Sequence, residues 1–155
     1  MTPGPARISE ILARSGDPAL EAIVRLAGHI ADGSGAGVHI LDDRVQHRIA
    51  GHNAPVAPHP REDSMCRLVV ESGERIVTGD ASQEQRFGYS SFVRGDEPGV
   101  RRYVSTPLRM DDGALVGTLC AWDADAGDLT EEQVAAFDDL ALLAAAVLQR
   151  PTAEG

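Results

Sequence analysis

The sequence predicts an α+β fold: a central antiparallel sheet with the N- and C-terminal helices packed on one face and a ligand pocket on the other. Three observations predict it. Two pairs of short apolar runs, at 36–50 and 101–122, are each joined by a polar turn, as antiparallel hairpins are. Apolar stripes of helical period lie at 17–31 and 130–149, near the two ends of the chain. Between the hairpins, residues 80–99 form a long irregular segment, which in a small domain usually serves a site.

Each element follows from local chemistry. Residues 1–7 read as a tail, with a short apolar helix or turn over 8–13; together 1–16 precede the domain proper. Asp17 is a good N-cap, and Pro18 fits the first helical position, where its missing N–H costs nothing. Leu20, Ile23, Val24, Ala27 and Ile30 recur on one face before Gly33 stops the helix. Strands over 36–41 and 45–50 flank the turn Asp42-Asp43-Arg44. In the second strand Val45, His47 and Ile49 alternate with Gln46 and Arg48, the pattern of a half-solvated strand. Residues 51–60 carry three prolines and no period, so a loop is expected. Asp63 and Ser64 open a short helix that ends at Gly73, and a brief strand covers 75–78. Strands over 101–110 and 114–122 join across Asp111-Asp112-Gly113. Thr130 with Gln133 forms a capping box for the last helix, which runs to about Gln149, before Pro151. The domain is therefore placed at 17–150, with 151–155 as a tail.

Composition narrows the function. A chain of 155 residues fits one domain. Only 4% of residues are aromatic, so the core must rest on Ala, Val, Leu and Ile. The net charge of −10 argues against nucleic acid and against an anionic membrane surface. No apolar run reaches the roughly 20 residues of a membrane span. The N-terminus lacks the basic and apolar regions of a signal peptide, and the two cysteines form no disulfide framework, so a cytoplasmic location is expected.

One stretch carries a family resemblance. It runs Asp80-Ala81 with Arg86-Phe87, then Tyr103 with Pro107-Leu108, then Gly117-Thr118-Leu119-Cys120, and closes on Asp123. These residues stand in the order and spacing of the second half of a bacterial GAF domain, and the chain resembles a solitary one over roughly 17–149. The resemblance implies the same α+β sheet, a small-molecule pocket in front of it, a sensory role in signal transduction, and dimerisation through the terminal helices. It names no cofactor and no particular ligand. A signalling partner protein is a further possibility that it implies.

The excursion and its neighbouring strands supply the candidate ligand-binding residues: Phe87, Tyr89, Phe92, Arg101 and Tyr103, with Thr118 on the following strand and Cys66 on the helix bordering the pocket. A pairing of Asp80 with Arg86 is expected to brace the excursion. His39, His47, His52 and His59 show no convergent ligand pattern, so no metal is expected, and no local pattern marks a haem ligand. Cys66 is followed by Arg67 rather than the histidine of bilin-binding relatives, and the chain has no lysine, so the cyclic-nucleotide signature of GAF domains is incomplete. No catalytic serine turn, phosphate loop or calcium loop is present. The expected function is a non-enzymatic sensory or regulatory domain. The alternatives are a thiol-dependent enzyme or sensor using Cys66, similar to methionine sulfoxide reductases, and a ligand-free dimerisation module. Cys66 and Cys120, far apart in sequence, are expected to stay reduced and unbridged, with their Cα atoms beyond the roughly 7 Å limit for bridging. A homodimer is expected through the last helix, which is apolar nearly all round from 140 to 148.

Overall fold

The computed structural model describes residues 3–95 and 99–151. Parts of the expected tails and of the expected excursion, at 1–2, 96–98 and 152–155, lie outside them. Asp17 accepts hydrogen bonds from the N–H groups of Ala19 and Leu20, and helix α2 (Pro18–Ile30) starts at Pro18 as the cap dictates. Helix α1 (Pro5–Leu12) starts earlier than its apolar residues indicate, because Pro5 suits a first helical turn while Ile8 and Ile11 are buried against the core. Thr130 and Gln133 exchange side chain-to-backbone hydrogen bonds at the start of α5 (Glu131–Leu148).

Six strands form one antiparallel sheet: β1 (Gly35–Leu41), β2 (Val45–His52), β3 (Pro58–Pro60), β4 (Ile76–Thr78), β5 (Arg102–Arg109) and β6 (Leu115–Asp123). Their spatial order is β3-β2-β1-β6-β5-β4. The two hairpins thus meet along β1 and β6 at the centre. Strand β3 falls where the prolines indicate a loop. Proline cannot donate to a ladder, but an edge strand tolerates it, and among the described residues β3 pairs with β2 alone.

The sheet has two apolar faces. On one, α1, α2 and α5 bury Leu20, Val24, Phe137 and Leu148 against Val38, Val104 and Leu119. On the other, α3 (Cys66–Ser72) and α4 (Ser91–Arg94) border a second cluster holding Met65, Val69, Phe87, Val93 and Tyr103. Gly73, at φ 73°, ends α3 in the left-handed region. The excursion folds into two short 3₁₀ turns, Ala81–Gln83 and Gln85–Phe87, followed by α4.

Strand β2 corrects the half-solvated reading. Ile49 faces the helical core, but Gln46 is buried and accepts a hydrogen bond from Ser64 on the other face. The polar residues of β2 turn toward a second covered face, which alternation alone cannot distinguish from water. A bulge falls between Val38 and His39: Val38 pairs with Ala50, but His39 pairs with Arg48, leaving Ile49 as the extra residue. The bulge therefore sets Arg48 directly across from His39.

Candidate functional site

Strands β1 and β6 build the floor of a cavity from alternate residues. On β6, Thr118, Cys120 and Trp122 share one face; on β1, Gly35, Gly37 and His39 lie opposite them. The two glycines leave room for larger neighbours. A Cβ on Gly35 would lie 2.6 Å from the Trp122 ring, and one on Gly37 would lie 3.0 Å from His39 Nε2. The resulting cavity, of about 270 Å³, is floored by His39, Cys120 and Trp122. Met65 and Cys66 at the start of α3, with Phe92 of the excursion and Tyr103 of β5, form further walls. Arg48 and the loop at Asn53-Ala54-Pro55 close another side.

Polar groups converge at the bottom. His39 Nδ1 lies 3.1 Å from Cys120 Sγ and 3.4 Å from Cys66 Sγ. The two sulfurs are 3.9 Å apart, and both residues are almost fully buried. The Tyr103 hydroxyl lies 3.3 Å from Cys66 Sγ, and the Ser105 hydroxyl lies 4.0 Å from it. Arg48 Nε donates to His39 Nε2 at 2.9 Å, and the guanidinium lies 5.1 Å from the centre of the Trp122 ring. Burial would push the Cys66 thiol up, but hydrogen bonding from Cys120 and the nearby His39 hold it well below the ordinary thiol value. Burial and the adjacent Cys66 sulfur push Cys120 well above it. Burial and the same sulfur push the Tyr103 hydroxyl up.

The thiols are unbridged, with their sulfurs in contact because α3 folds across β6; a separation of 54 positions along the chain gives no hint of that contact. One expectation is corrected. Convergent donor atoms exist: those of His39, Cys66 and Cys120 all lie within 4.8 Å of one another. Arg48 decides what they can hold. A guanidinium only donates, so Nε2 must accept, and the ring proton sits on Nδ1, facing the sulfurs. The imidazole therefore offers those sulfurs an N–H instead of the lone pair that a metal needs.

The structure divides the other candidate residues. Cys66, Phe92 and Tyr103 line the cavity. Phe87 is buried behind it, edge-on to Tyr103 with ring centres 5.6 Å apart. Tyr89 turns away and donates to the Ser64 carbonyl at 2.6 Å; burial pushes its hydroxyl up to about 12. Arg101 donates to the carbonyls of Val93 and Val100, bracing the end of the excursion. The Thr118 hydroxyl is buried with no hydrogen-bond partner among the described residues. Asp80 accepts from Ser82 and caps its own turn, while Arg86 pairs with Glu84, so the expected Asp80–Arg86 brace does not form. Its place is taken by Asp63, whose carboxylate accepts from the Ser91 N–H at 2.8 Å and from the Ser91 hydroxyl. Sequence reasoning missed His39, Arg48, Cys120 and Trp122 as pocket residues. The available signal was the alternation Gly35-x-Gly37-x-His39 facing Thr118-x-Cys120-x-Trp122, small residues opposite large ones on one face.

The sequence profile of the GAF domain matches residues 16–149. The chain belongs to the GAF domain family. A cyclic di-GMP phosphodiesterase of Pseudomonas aeruginosa is 30% identical to this GAF domain over 134 residues, which are 86% of this chain and 23% of that protein. The chain thus spans less than a quarter of that relative's length. Solved structures share the fold at lower identity. The GAF domain of an Acinetobacter phosphoenolpyruvate-protein phosphotransferase superposes with a TM-score of 0.70 at 15% identity, over 92% of this chain and 90% of that one. A type II free methionine-R-sulfoxide reductase from Thermoplasma acidophilum superposes with a TM-score of 0.65 at 14% identity, over 84% and 92%. A PixJ GAF domain from Thermosynechococcus elongatus reaches 0.62 at 20% identity, over 95% and 89%. The fold is one used for sensing and regulation, and it also serves reductases. Among the described residues, no helix is long and apolar enough to cross a membrane.

Proposed function

We propose that this GAF domain is a non-enzymatic sensory module whose pocket binds a small planar molecule carrying a hydrogen-bond acceptor. The observation that supports it is the placement of Arg48. Its Nε is engaged by His39 and its Nη1 by the Pro55 carbonyl at 3.3 Å, while Nη2 has no hydrogen bond among the described residues. A cation with a donor to spare, beside Trp122, Phe92 and Tyr103, suits a flat ring with a carbonyl or carboxylate on its edge. A volume of about 270 Å³ limits the ligand to metabolite size. The similarity to part of a cyclic di-GMP phosphodiesterase supports a regulatory role beside such an output. This reading includes a cytoplasmic location and a homodimer through α5 that carries the signal.

Native mass spectrometry of freshly purified protein tests for a retained ligand. Thermal-shift titration with aromatic carboxylates, benzoate first, tests the class. Binding should weaken about tenfold in Arg48→Ala, the loss of one charge-assisted hydrogen bond. Protein that carries nothing and that no planar acid stabilises would remove this reading.

A further inference from the structure

We propose that Cys66 and Cys120 are a peroxide-reactive dithiol, in which a hydroperoxide oxidises the Cys66 sulfur and Cys120 then bridges it. The geometry of the two sulfurs does not depend on what the pocket binds. Two thiols buried for packing alone would be surrounded by apolar atoms. Here the donors are distributed unequally. Cys66 Sγ is approached by the His39 ring, the Tyr103 hydroxyl and the Ser105 hydroxyl, whereas among the described residues Cys120 Sγ lies within hydrogen-bond distance of the His39 ring and the neighbouring sulfur. Polar donors stabilise a thiolate and more of them surround Cys66, so Cys66 is assigned as the nucleophile and Cys120 as the resolving thiol.

His39 is a positioning residue held by Arg48. The bulge in β2 exists at the one register step that brings Arg48 across from His39, and the Arg48 donor fixes the tautomer that points N–H at the sulfurs. Both sulfurs line the cavity, so an oxidant close to water in size can reach them. Closure requires the sulfurs to move from 3.9 Å to roughly 2.05 Å. Cys120 lies on a strand paired on both sides, whereas Cys66 begins a helix of seven residues, so the motion falls to Cys66.

The step balances. The Cys66 thiolate attacks one peroxide oxygen, the O–O bond breaks, and the departing hydroxide takes the Cys120 proton, giving water and a Cys66 sulfenic acid. The Cys120 thiolate then attacks the Cys66 sulfur, the S–O bond breaks, and hydroxide leaves to take a proton from solvent. The dithiol loses two electrons and the hydroperoxide gains them.

The test uses the full, reduced chain, freed of reductant and treated with hydrogen peroxide. Expected are an intact mass lower by two hydrogens, a Cys66–Cys120 cross-linked peptide after digestion, and a change in the fluorescence of Trp122, the single tryptophan. Cys120→Ser should stop at a Cys66 sulfenic acid that dimedone traps, and Cys66→Ser should leave Cys120 unoxidised. Arg48→Met should move the pH profile of iodoacetamide alkylation at Cys66 upward and slow it about tenfold at neutral pH for each unit moved. Thiols that stay reduced, or oxidise without the intramolecular bridge, would overturn the proposal. So would a one-to-one complex with zinc ion that shields both thiols from alkylation, which would make the cluster a metal centre. The cross-link in the unmutated chain decides the matter even if a variant fails to fold.

Discussion

A methyl group on Gly35 would intrude on the Trp122 ring, with its nearest ring atom 2.6 Å away. Trp122 lies in the pocket floor, so the ring cannot retreat without changing the cavity. Gly35→Ala should therefore destabilise the fold by about 1–3 kcal/mol, the usual cost of overpacking, and shift the fluorescence of Trp122. Urea denaturation checks the first and an emission spectrum the second; unchanged values for both would show that the ring moves freely. At this scale the sequence was legible in part. Cys66, Phe92 and Tyr103 stand in the cavity, and each is of a type that suits a pocket. His39 and Arg48 were not legible, because they meet through a bulge and a one-residue change of register, which no periodicity reports. Arg101 misled for a physical reason: an arginine beside aromatics suits an anion equally well as it suits two backbone carbonyls, and here the carbonyls hold it.

The excursion at 80–95 is held by the turn that precedes α3. Tyr89 donates to the Ser64 carbonyl, Ser90 to the Asp63 carbonyl, and Ser91 to the Asp63 carboxylate, which His59 also contacts at 2.8 Å. Burial would push the Asp63 carboxyl up, but the Ser91 side chain and N–H, with His59, outweigh it and hold it below the usual carboxylate value. A depressed folded value means that the carboxylate contributes stability above the unfolded value of about 3.9, and that this contribution disappears as pH falls through the folded one. Acid should therefore loosen the excursion from α3. Amide hydrogen exchange at 89–94 should quicken on going from neutral pH toward pH 3, relative to the pH-corrected rate of β6. Asp63→Asn should exchange fast at both pH values and lose the dependence. Equal pH dependence in the variant would assign the effect to another group. The elements themselves were legible wherever a cap or turn fixed them: Asp17, Gly73, Gly113 and the Thr130–Gln133 box mark their ends correctly. Helix α1 and strand β3 were less so, since proline is compatible with a first helical turn, an edge strand and a loop alike.

At the scale of the molecule, the sheet separates two environments that the chain had to supply from one composition. Helices α1, α2 and α5 cover one face with Phe137 and otherwise aliphatic residues, and Phe87, Phe92, Tyr103 and Trp122 lie on the other, around the cavity. The apolar residues of α5 nevertheless exceed what the sheet and α2 can cover. Phe137, Leu140, Ala141, Ala144 and Leu148 are buried, but Leu142 is 72% exposed and Leu143 54% exposed. Leu26 of α2 is 51% exposed as well. Two adjacent leucines standing in water, flanked by Asp139 and Ala146 at the exposed positions of a long helix, form the strip by which a second copy could pack about a two-fold axis. Alanine at 146 would let the paired helices approach closely. Leu143→Glu should then shift the protein to monomer in sedimentation at concentrations where the unmutated chain is a dimer, by placing a charge in the middle of the contact. Because Leu143 contributes little to the monomer's core, the urea midpoint of the variant should no longer depend on protein concentration, whereas that of the unmutated chain should rise with it. A monomeric unmutated chain at high micromolar concentration would instead leave Leu142 and Leu143 as surface leucines, and a signal from the cavity would have to leave the domain by another face.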